Sequence, residues 1–168
     1  PEGEWSDELP TSGELLFVQL GQSGDGTSKT SALGSIAQAY EQAAPGATIA
    51  VAKGLYDEEL TLSKEVTIIG ACARDTIIAS SRDITPAMDD VTMMETVEAT
   101  IVVEDIGKKE LRNLTVSGQR MGIGVVDAPG PVKLSGVLMD ANIGFGLTVH
   151  GASSVVEVTD AAVMNTRP

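Results

Sequence analysis

The sequence predicts an all-β chain wound into a right-handed parallel β-helix, a solenoid, with a short capping α-helix near its N-terminus. Short apolar segments separated by turn residues run through most of the chain, and its last third repeats with a period of 22 to 24 residues. One amphipathic helix precedes most of these segments. We therefore expect an acidic leader or linker at 1–14 and a β-helix domain at 15–168 that continues or is capped beyond residue 168.

The repeat is clearest from residue 111 onward. Its units align in three apolar columns, which are Leu111, Leu134 and Val158, then Leu114, Val137 and Ala161, then Val116, Met139 and Val163. The segment 121–125 also matches 143–147, since both have glycine at alternate positions. A unit of this length cannot bury its apolar face alone and must stack on its neighbours. Leucine-rich repeats are the alternative, but their consensus asparagine at Asn113 becomes Gly136 and Asp160 in the next units, which favours the β-helix.

The helix is predicted at 35–44. Ser35 followed by Gln38 forms a capping box, an apolar stripe follows at helical spacing, and Pro45-Gly46 ends the segment. Laid across the first coil, this helix would cover unpaired strand edges. Strands are predicted at 15–20, 48–52, 59–62, 66–70, 76–79 and 100–103, and residues 80–99 are interpreted as an irregular insertion.

Composition narrows the range of partners. The chain has 24 acidic and 11 basic residues, a net charge of -13, and such a surface repels nucleic acid and anionic polysaccharides unless a divalent cation bridges them. No segment has the roughly 18 apolar residues of a membrane span. Cys72 is the only cysteine, so no internal disulfide forms, and its position between apolar strands predicts a small buried residue.

Residues 25–80 contain a series of short motifs. They are Asp-Gly-Thr at 25–27, Ser-Ile-x-x-Ala at 35–39, Pro-Gly-x-Thr-Ile-x-Val at 45–51, Gly-x-Tyr-x-Glu at 54–58 and Val-Thr-Ile-Ile-Gly at 66–70. This series resembles the N-terminal cap and first coils of the pectin lyase-like superfamily, which includes pectinesterases and many bacterial surface proteins. The resemblance implies the fold and an extracellular or cell-surface location in a bacterium. The Gln-Asp-Thr and Gly-x-x-Asp-Phe motifs of pectinesterase catalysis are absent from the sequence.

Candidate site residues are few. His150, the only histidine, should lie near Asp127 one coil earlier, where a carboxylate could support it as a general base. Asp25, Asp140 and Asp160 are the candidate metal ligands. Turn formation at coil corners explains Asp127, Asp140 and Asp160 without any ligand. No cofactor is expected, and Ca²⁺ is the one ion that oxygen ligands at these corners would suit.

Charged and glycine-rich segments have structural interpretations as well. Glu110, Arg112 and Arg120 are interpreted as solvated surface charges. The loop 21–30 lies between a strand and a helix, but Ser28 stands where a phosphate-binding loop needs glycine before the lysine, so it is interpreted as structural.

Two functions remain open. The first is a non-catalytic module, secreted or on a bacterial surface, that acts as a scaffold or binds carbohydrate or protein. The second is the N-terminal part of a polysaccharide lyase, esterase or hydrolase whose active-site coils lie downstream. A dimer through an exposed end coil is a further expectation, because open strand edges invite pairing.

Overall fold

The computed structural model describes residues 3–82 and 98–167, in which fifteen strands and one α-helix, α1 (Ile36–Gln42), follow one another. The strands are β1 (Leu15–Val18), β2 (Ala47–Val51), β3 (Gly54–Asp57), β4 (Leu60–Leu62), β5 (Val66–Gly70), β6 (Thr76–Ser80), β7 (Ala99–Glu104), β8 (Lys109–Arg112), β9 (Thr115–Gly118), β10 (Met121–Val126), β11 (Pro131–Ser135), β12 (Leu138–Asp140), β13 (Leu147–His150), β14 (Val155–Thr159) and β15 (Ala162–Met164). A short 3₁₀ turn, Lys29–Ser31, precedes α1. Most of the predicted insertion, residues 80–99, lies outside the described residues.

The strands form three parallel sheets. Sheet 1 has the order β1-β2-β5-β8-β11-β14, sheet 2 the order β3-β6-β9-β12-β15, and sheet 3 the order β4-β7-β10-β13. From β2 onward, consecutive strands enter sheets 1, 2 and 3 in turn, so that each coil adds one strand to each sheet. The fold is thus mostly β and parallel, as predicted.

Aliphatic residues on the inner side of the strands stack from coil to coil. Leu134 pairs with Leu111 on one side and with Val158 on the other, and Met139 likewise lies between Val116 and Val163. Both predicted columns are confirmed. Between these two sheets, Leu114 and Val137 are buried at the corner and Ala161 packs against the same core, as the remaining column predicts.

The predicted alignment of 121–125 with 143–147 is wrong by two residues. Ile123 lies opposite Leu147, whereas the sequence match had placed Val125 there. The chain from Met139 to Leu147 is one residue longer than the paired stretch from Val116 to Ile123, and Gly144 has a φ of 76° in it. The glycines of 143–147 therefore belong largely to a turn, although those of 121–125 lie in a strand.

Residues of the first coil form hydrogen bonds with both ends of α1. Ser35 is the N-cap, and its Oγ accepts a hydrogen bond from the Gln38 N–H at 3.2 Å, as the capping box predicts. The Glu58 carboxylate also accepts hydrogen bonds at this end, and Lys64 Nζ donates to the Ala43 carbonyl at the other, 2.8 Å away. An acid at the N-terminus and a base at the C-terminus both complement the helix dipole.

The Gly-x-Tyr-x-Glu motif forms a strand that the sequence analysis did not assign. This strand is β3, in which Tyr56 is fully buried and donates a hydrogen bond from its hydroxyl to the Ala52 carbonyl at 3.1 Å. Burial raises the pKa of Tyr56 to about 12. The expectation for Cys72 was wrong, because it is half-buried and its Sγ donates to an Asp75 carboxylate oxygen 3.4 Å away.

Residues 3–14 pack on the outer face of sheet 1. Trp5 meets Phe17 edge-on at a centroid distance of 5.3 Å, and Glu8 forms an ion pair of 2.8 Å with Arg112 on β8. The outward-facing Ala50 and Ile69, on the strands between these contacts, are 1% and 2% exposed. We infer that this segment covers an apolar strip of sheet 1.

The last coil leaves apolar side chains exposed. Val158 and Val163 belong to the inner columns, yet they are 48% and 51% exposed. The predicted dimer through this coil stays a prediction. Within the described residues, no helix has the length and apolar character needed to cross a membrane.

Candidate groove on sheet 2

The outer face of sheet 2 presents two rows of side chains. Because Tyr56, Ile78, Val116 and Met139 point into the core, their neighbours along each strand point outward. By register, one row contains Leu55, Ile77, Thr115 and Leu138, and the other contains Asp57, Ala79, Ser117 and Asp140. We call these two rows the sheet 2 face. They combine an apolar strip with a strip of small residues between two carboxylates.

A groove of about 230 Å³ lies at the β3 end of the sheet 2 face. Its walls are formed by Leu55, Asp57, Ala79, Ser80, Ser81, Gly118 and Gln119. Leu55 is 59% exposed, so the groove offers an open apolar wall. Apolar surface with a few convergent polar groups is the usual character of a small-molecule site.

Gly118 shapes the floor of this groove. Its φ is 126°, a conformation that residues with a side chain rarely adopt, and a Cβ there would lie 2.4 Å from the Ser80 carbonyl oxygen. Only glycine therefore fits between β9 and β6 at this point.

Asp57 is the ionised group of the groove. The Ser81 hydroxyl donates to one carboxylate oxygen at 2.6 Å and the Ser81 backbone N–H donates to the other at 2.9 Å. These hydrogen bonds, the hydroxyl first and then the N–H, lower the pKa of Asp57 from its ordinary value. Asp57 is thus a fixed, charged hydrogen-bond acceptor at neutral pH.

A cluster of ion pairs borders the groove. Arg120 Nε lies 3.0 Å from Glu59 Oε1, and a terminal nitrogen of Arg120 lies 3.5 Å from Glu98. Glu59 also accepts from the Ser80 hydroxyl at 2.7 Å and lies 3.6 Å from Arg82. Arg120 is only 8% exposed, and its buried Nε–H has no well-directed acceptor among residues 3–82 and 98–167.

The expectation of solvated charges at Glu110, Arg112 and Arg120 was wrong. Arg120 is buried between carboxylates that the sequence analysis did not associate with it. On sheet 1, Glu110 is largely covered and lies 3.8 Å from Arg112, which also pairs with Glu8. The missed signal was spacing, because Glu59 and Arg120 both lie where the chain passes from sheet 2 to sheet 3.

The structure places His150 and Asp127 on adjacent coils. The Asp127 N–H donates to the His150 carbonyl at 3.1 Å, so the two backbones are neighbours. His150 lies at the end of β13 with an exposed side chain, and Asp127 has a φ of 42° at a corner. Among the described residues no hydrogen bond or ion pair joins their side chains. Their proposed catalytic role stays a prediction.

The candidate metal ligands lie at separate places. Asp25 accepts from the Thr27 backbone N–H at 3.0 Å and from the Thr27 hydroxyl at 2.8 Å, and these bonds lower its pKa. Asp140 accepts from the Asn165 side chain at 2.8 Å, and Asp160 has a φ of 51° at a corner. Within residues 3–82 and 98–167, no three metal-binding side chains converge. Calcium binding therefore stays a prediction.

A second groove, of about 160 Å³, lies on sheet 1 and is lined by Glu110, Lys133, Leu134, Ser135, Glu157 and Thr159. Each of its charged groups already has an ion-pair partner, and that of Glu110 is Lys108 at 2.8 Å. Lys133 Nζ lies 3.0 Å from a Glu157 carboxylate oxygen, and this hydrogen bond raises the pKa of Lys133. The groove on sheet 2 is thus the better candidate for a ligand.

Comparison with known proteins gives a structural relative. No family model matches the sequence, and no curated protein sequence is significantly similar to it. Among solved structures, the chain is similar to a mutant pectin methylesterase in complex with a hexasaccharide, with a TM-score of 0.59 and 14% identity over 90% of this chain. At that identity, the similarity shows the fold alone, and the chain spans 49% of the length of that enzyme.

Proposed function

We propose that the chain is a section of a right-handed parallel β-helix, with α1 as the cap of its first coil. We further propose that it binds carbohydrate on the sheet 2 face and does not catalyse a reaction of that carbohydrate. The cap is supported by Ile36, Ala39 and Tyr40, which are buried in the same core as the first strands. A role in a bacterial cell envelope or outside the cell is part of this proposal. It is supported by the resemblance to pectin lyase-like surface proteins.

The groove at Leu55 and Asp57 is the observation that favours binding. Sugars present apolar C–H surfaces together with hydroxyl groups. This groove is lined by the exposed Leu55, by the hydrogen-bonded carboxylate of Asp57 and by Gln119. A charged acceptor forms stronger hydrogen bonds with hydroxyl groups than a neutral acceptor does. The pectin methylesterase with the same fold is itself seen with a hexasaccharide.

A glycan array followed by calorimetric titration of the full chain tests this proposal. We expect saturable binding that Leu55→Ser weakens roughly tenfold, because loss of one apolar contact of this size costs about 1 to 1.5 kcal/mol. Ile106→Ser is the matched control, since Ile106 is also an exposed aliphatic residue, at 78%, but lies outside the groove. Absence of binding to any glycan, or equal loss in both variants, would reject the proposal.

Catalysis on a polysaccharide is the second candidate, and the Arg120 cluster favours it. Two carboxylates and an arginine from three successive coils meet beside the groove, which is a set of groups that acid–base chemistry requires. Release of methanol or of reducing ends from pectin by this chain, abolished by Glu59→Gln, would establish an enzyme. If the chain binds pectin but releases neither product, the ion pairs around Arg120 serve a structural role only.

A further inference from the structure

The sheet 2 face carries two carboxylates, one on its first strand and one on its fourth. Asp57 and Asp140 occupy the same row on β3 and β12, three ladder spacings or about 14 Å apart. The residues between them in that row are Ala79 and Ser117, which are small and uncharged. No lysine or arginine belongs to either row of this face in the described strands.

Four basic residues beside the groove lie close to carboxylates. Arg82 and Arg120 pair with Glu59, at 3.6 and 3.0 Å, on one side of the face. On the other side, Lys53 and Arg74 lie within 3.6 and 3.7 Å of Asp75. Asp57 and Asp140, the carboxylates of the face itself, form no ion pair among the described residues.

From this charge distribution we propose that the face selects glycans without carboxylate groups and excludes polyuronates, with Asp57 and Asp140 as the specificity-determining residues. This inference rests on the proposed glycan binding and adds the class of ligand. Selectivity of this kind comes from repulsion of the wrong ligand as much as from attraction of the right one. The net charge of -13 acts in the same direction.

The size of the effect follows from Coulomb's law. A uronate carboxylate about 6 Å from one aspartate in water is repelled by an energy that corresponds to about a threefold loss of affinity. With one uronate near each aspartate, we expect about a tenfold loss for the acidic ligand relative to its neutral counterpart at low salt. Salt should reduce this difference, because the Debye length falls to about 3 Å at 1 M ionic strength.

Matched ligand pairs test the inference. One pair is hexagalacturonate and its fully methyl-esterified form, and the other is a cello-oligosaccharide and the same chain with its C6 hydroxyl groups oxidised to carboxylates. Each pair differs in charge on an otherwise similar chain. Titration of the full chain should give tighter binding of the neutral member in both pairs, by about tenfold at an ionic strength of about 0.01 M.

The double variant Asp57→Asn, Asp140→Asn should lose this discrimination, and it should bind the neutral ligands more weakly than the unaltered chain because a neutral amide oxygen replaces the charged acceptor at residue 57. Its control is the double variant Glu41→Gln, Glu157→Gln, which removes the same charge from α1 and from sheet 1, and it should keep the discrimination. Far-UV circular dichroism checks that both variants fold. Equal or tighter binding of the acidic members by the unaltered chain, or unchanged discrimination in the aspartate variant, would overturn the inference and leave glycan binding intact. Binding of no ligand would overturn the proposed function, and this inference with it.

Discussion

Removal of the Glu58 carboxylate should release α1 from the first coil. Its two oxygens accept hydrogen bonds from the backbone N–H of Ile36 at 2.9 Å, from that of Ala37 at 2.8 Å and from the Ser35 hydroxyl at 3.0 Å. These N–H groups have no acceptor within the helix, since they belong to its first turn. A residue that follows β3 thus completes the cap of a helix that precedes β2.

The magnitude follows from these contacts. A carboxylate at a helix N-terminus contributes up to about 2 kcal/mol when it is partly buried, and a hydrogen bond to a serine hydroxyl adds about 1 kcal/mol. Glu58→Ala should therefore lower the free energy of unfolding by about 2 to 3 kcal/mol, a fall in Tm of roughly 5 to 10 °C for a chain of this size. Glu58→Gln keeps one acceptor oxygen, so it should lower the free energy of unfolding by about half as much as Glu58→Ala.

Urea unfolding followed by far-UV circular dichroism measures the loss, and amide hydrogen exchange locates it. The amides of Ile36 and Ala37 should exchange faster in Glu58→Ala, whereas those of β11 and β14 should keep their rates. Glu41→Ala is the matched control, because Glu41 is an exposed glutamate near the unfavourable C-terminal end of the same helix. If the two alanine variants agree in stability within about 0.5 kcal/mol, the helix is held by its apolar face and our reasoning on Glu58 is wrong.

Three further predictions concern other parts of the fold. Because the pKa of Tyr56 rises from 10.0 to about 12 on folding, the folded chain keeps a proton that the unfolded chain loses, so stability should fall by roughly 2 to 3 kcal/mol as the pH rises from 10 to 12. Chemical unfolding across that range should show this fall, and Tyr56→Phe should abolish it. Phe17→Ala should red-shift the fluorescence of Trp5, the only tryptophan, and increase its quenching by acrylamide, whereas Phe145→Ala should leave both unchanged. Ala141→Gly should raise the free energy of unfolding by about 1 kcal/mol, because Ala141 has a φ of 56°, and the same change at Ala162 in β15 should not. A neutral or destabilising effect of Ala141→Gly would contradict that account.

The parts of the fold that local pattern determines were predictable. Alternating aliphatic residues define the inner columns, because a strand turns every second side chain to the same face and identical coils repeat that choice. The start of α1 was predictable for a similar reason, since the Ser35 cap contacts the helix only three residues on. Both features need only neighbouring residues or an unbroken repeat.

The groove on sheet 2 could not be predicted from local sequence pattern. Asp57 and Asp140 share a row only because of the register of β3, β6, β9 and β12, and that register depends on the length of every corner between them. The error at β13 shows how sensitive register is, since Ile123 and Leu147 are 24 residues apart where the sequence match implies a spacing of 22. The signal that could have placed Asp57 was the alternation around Tyr56, since a strand with Tyr56 facing inward turns Asp57 outward. The sequence analysis assigned no strand there.

The outer faces of the three sheets differ in the side chains that they offer to a ligand. On sheet 1, residues 3–14 pack over the first strands, and Lys133 and Glu157 pair with each other further along. On sheet 3, two of the three outward positions of β10 are Gly122 and Gly124, which have no side chain to contact a ligand. Sheet 2 combines the exposed Leu55 with hydrogen-bonded carboxylates that form no ion pair among the described residues. A ligand that needs both apolar contact and hydrogen-bond acceptors is therefore expected on sheet 2, and chemical-shift changes confined to sheet 1 or sheet 3 on glycan addition would contradict this assignment.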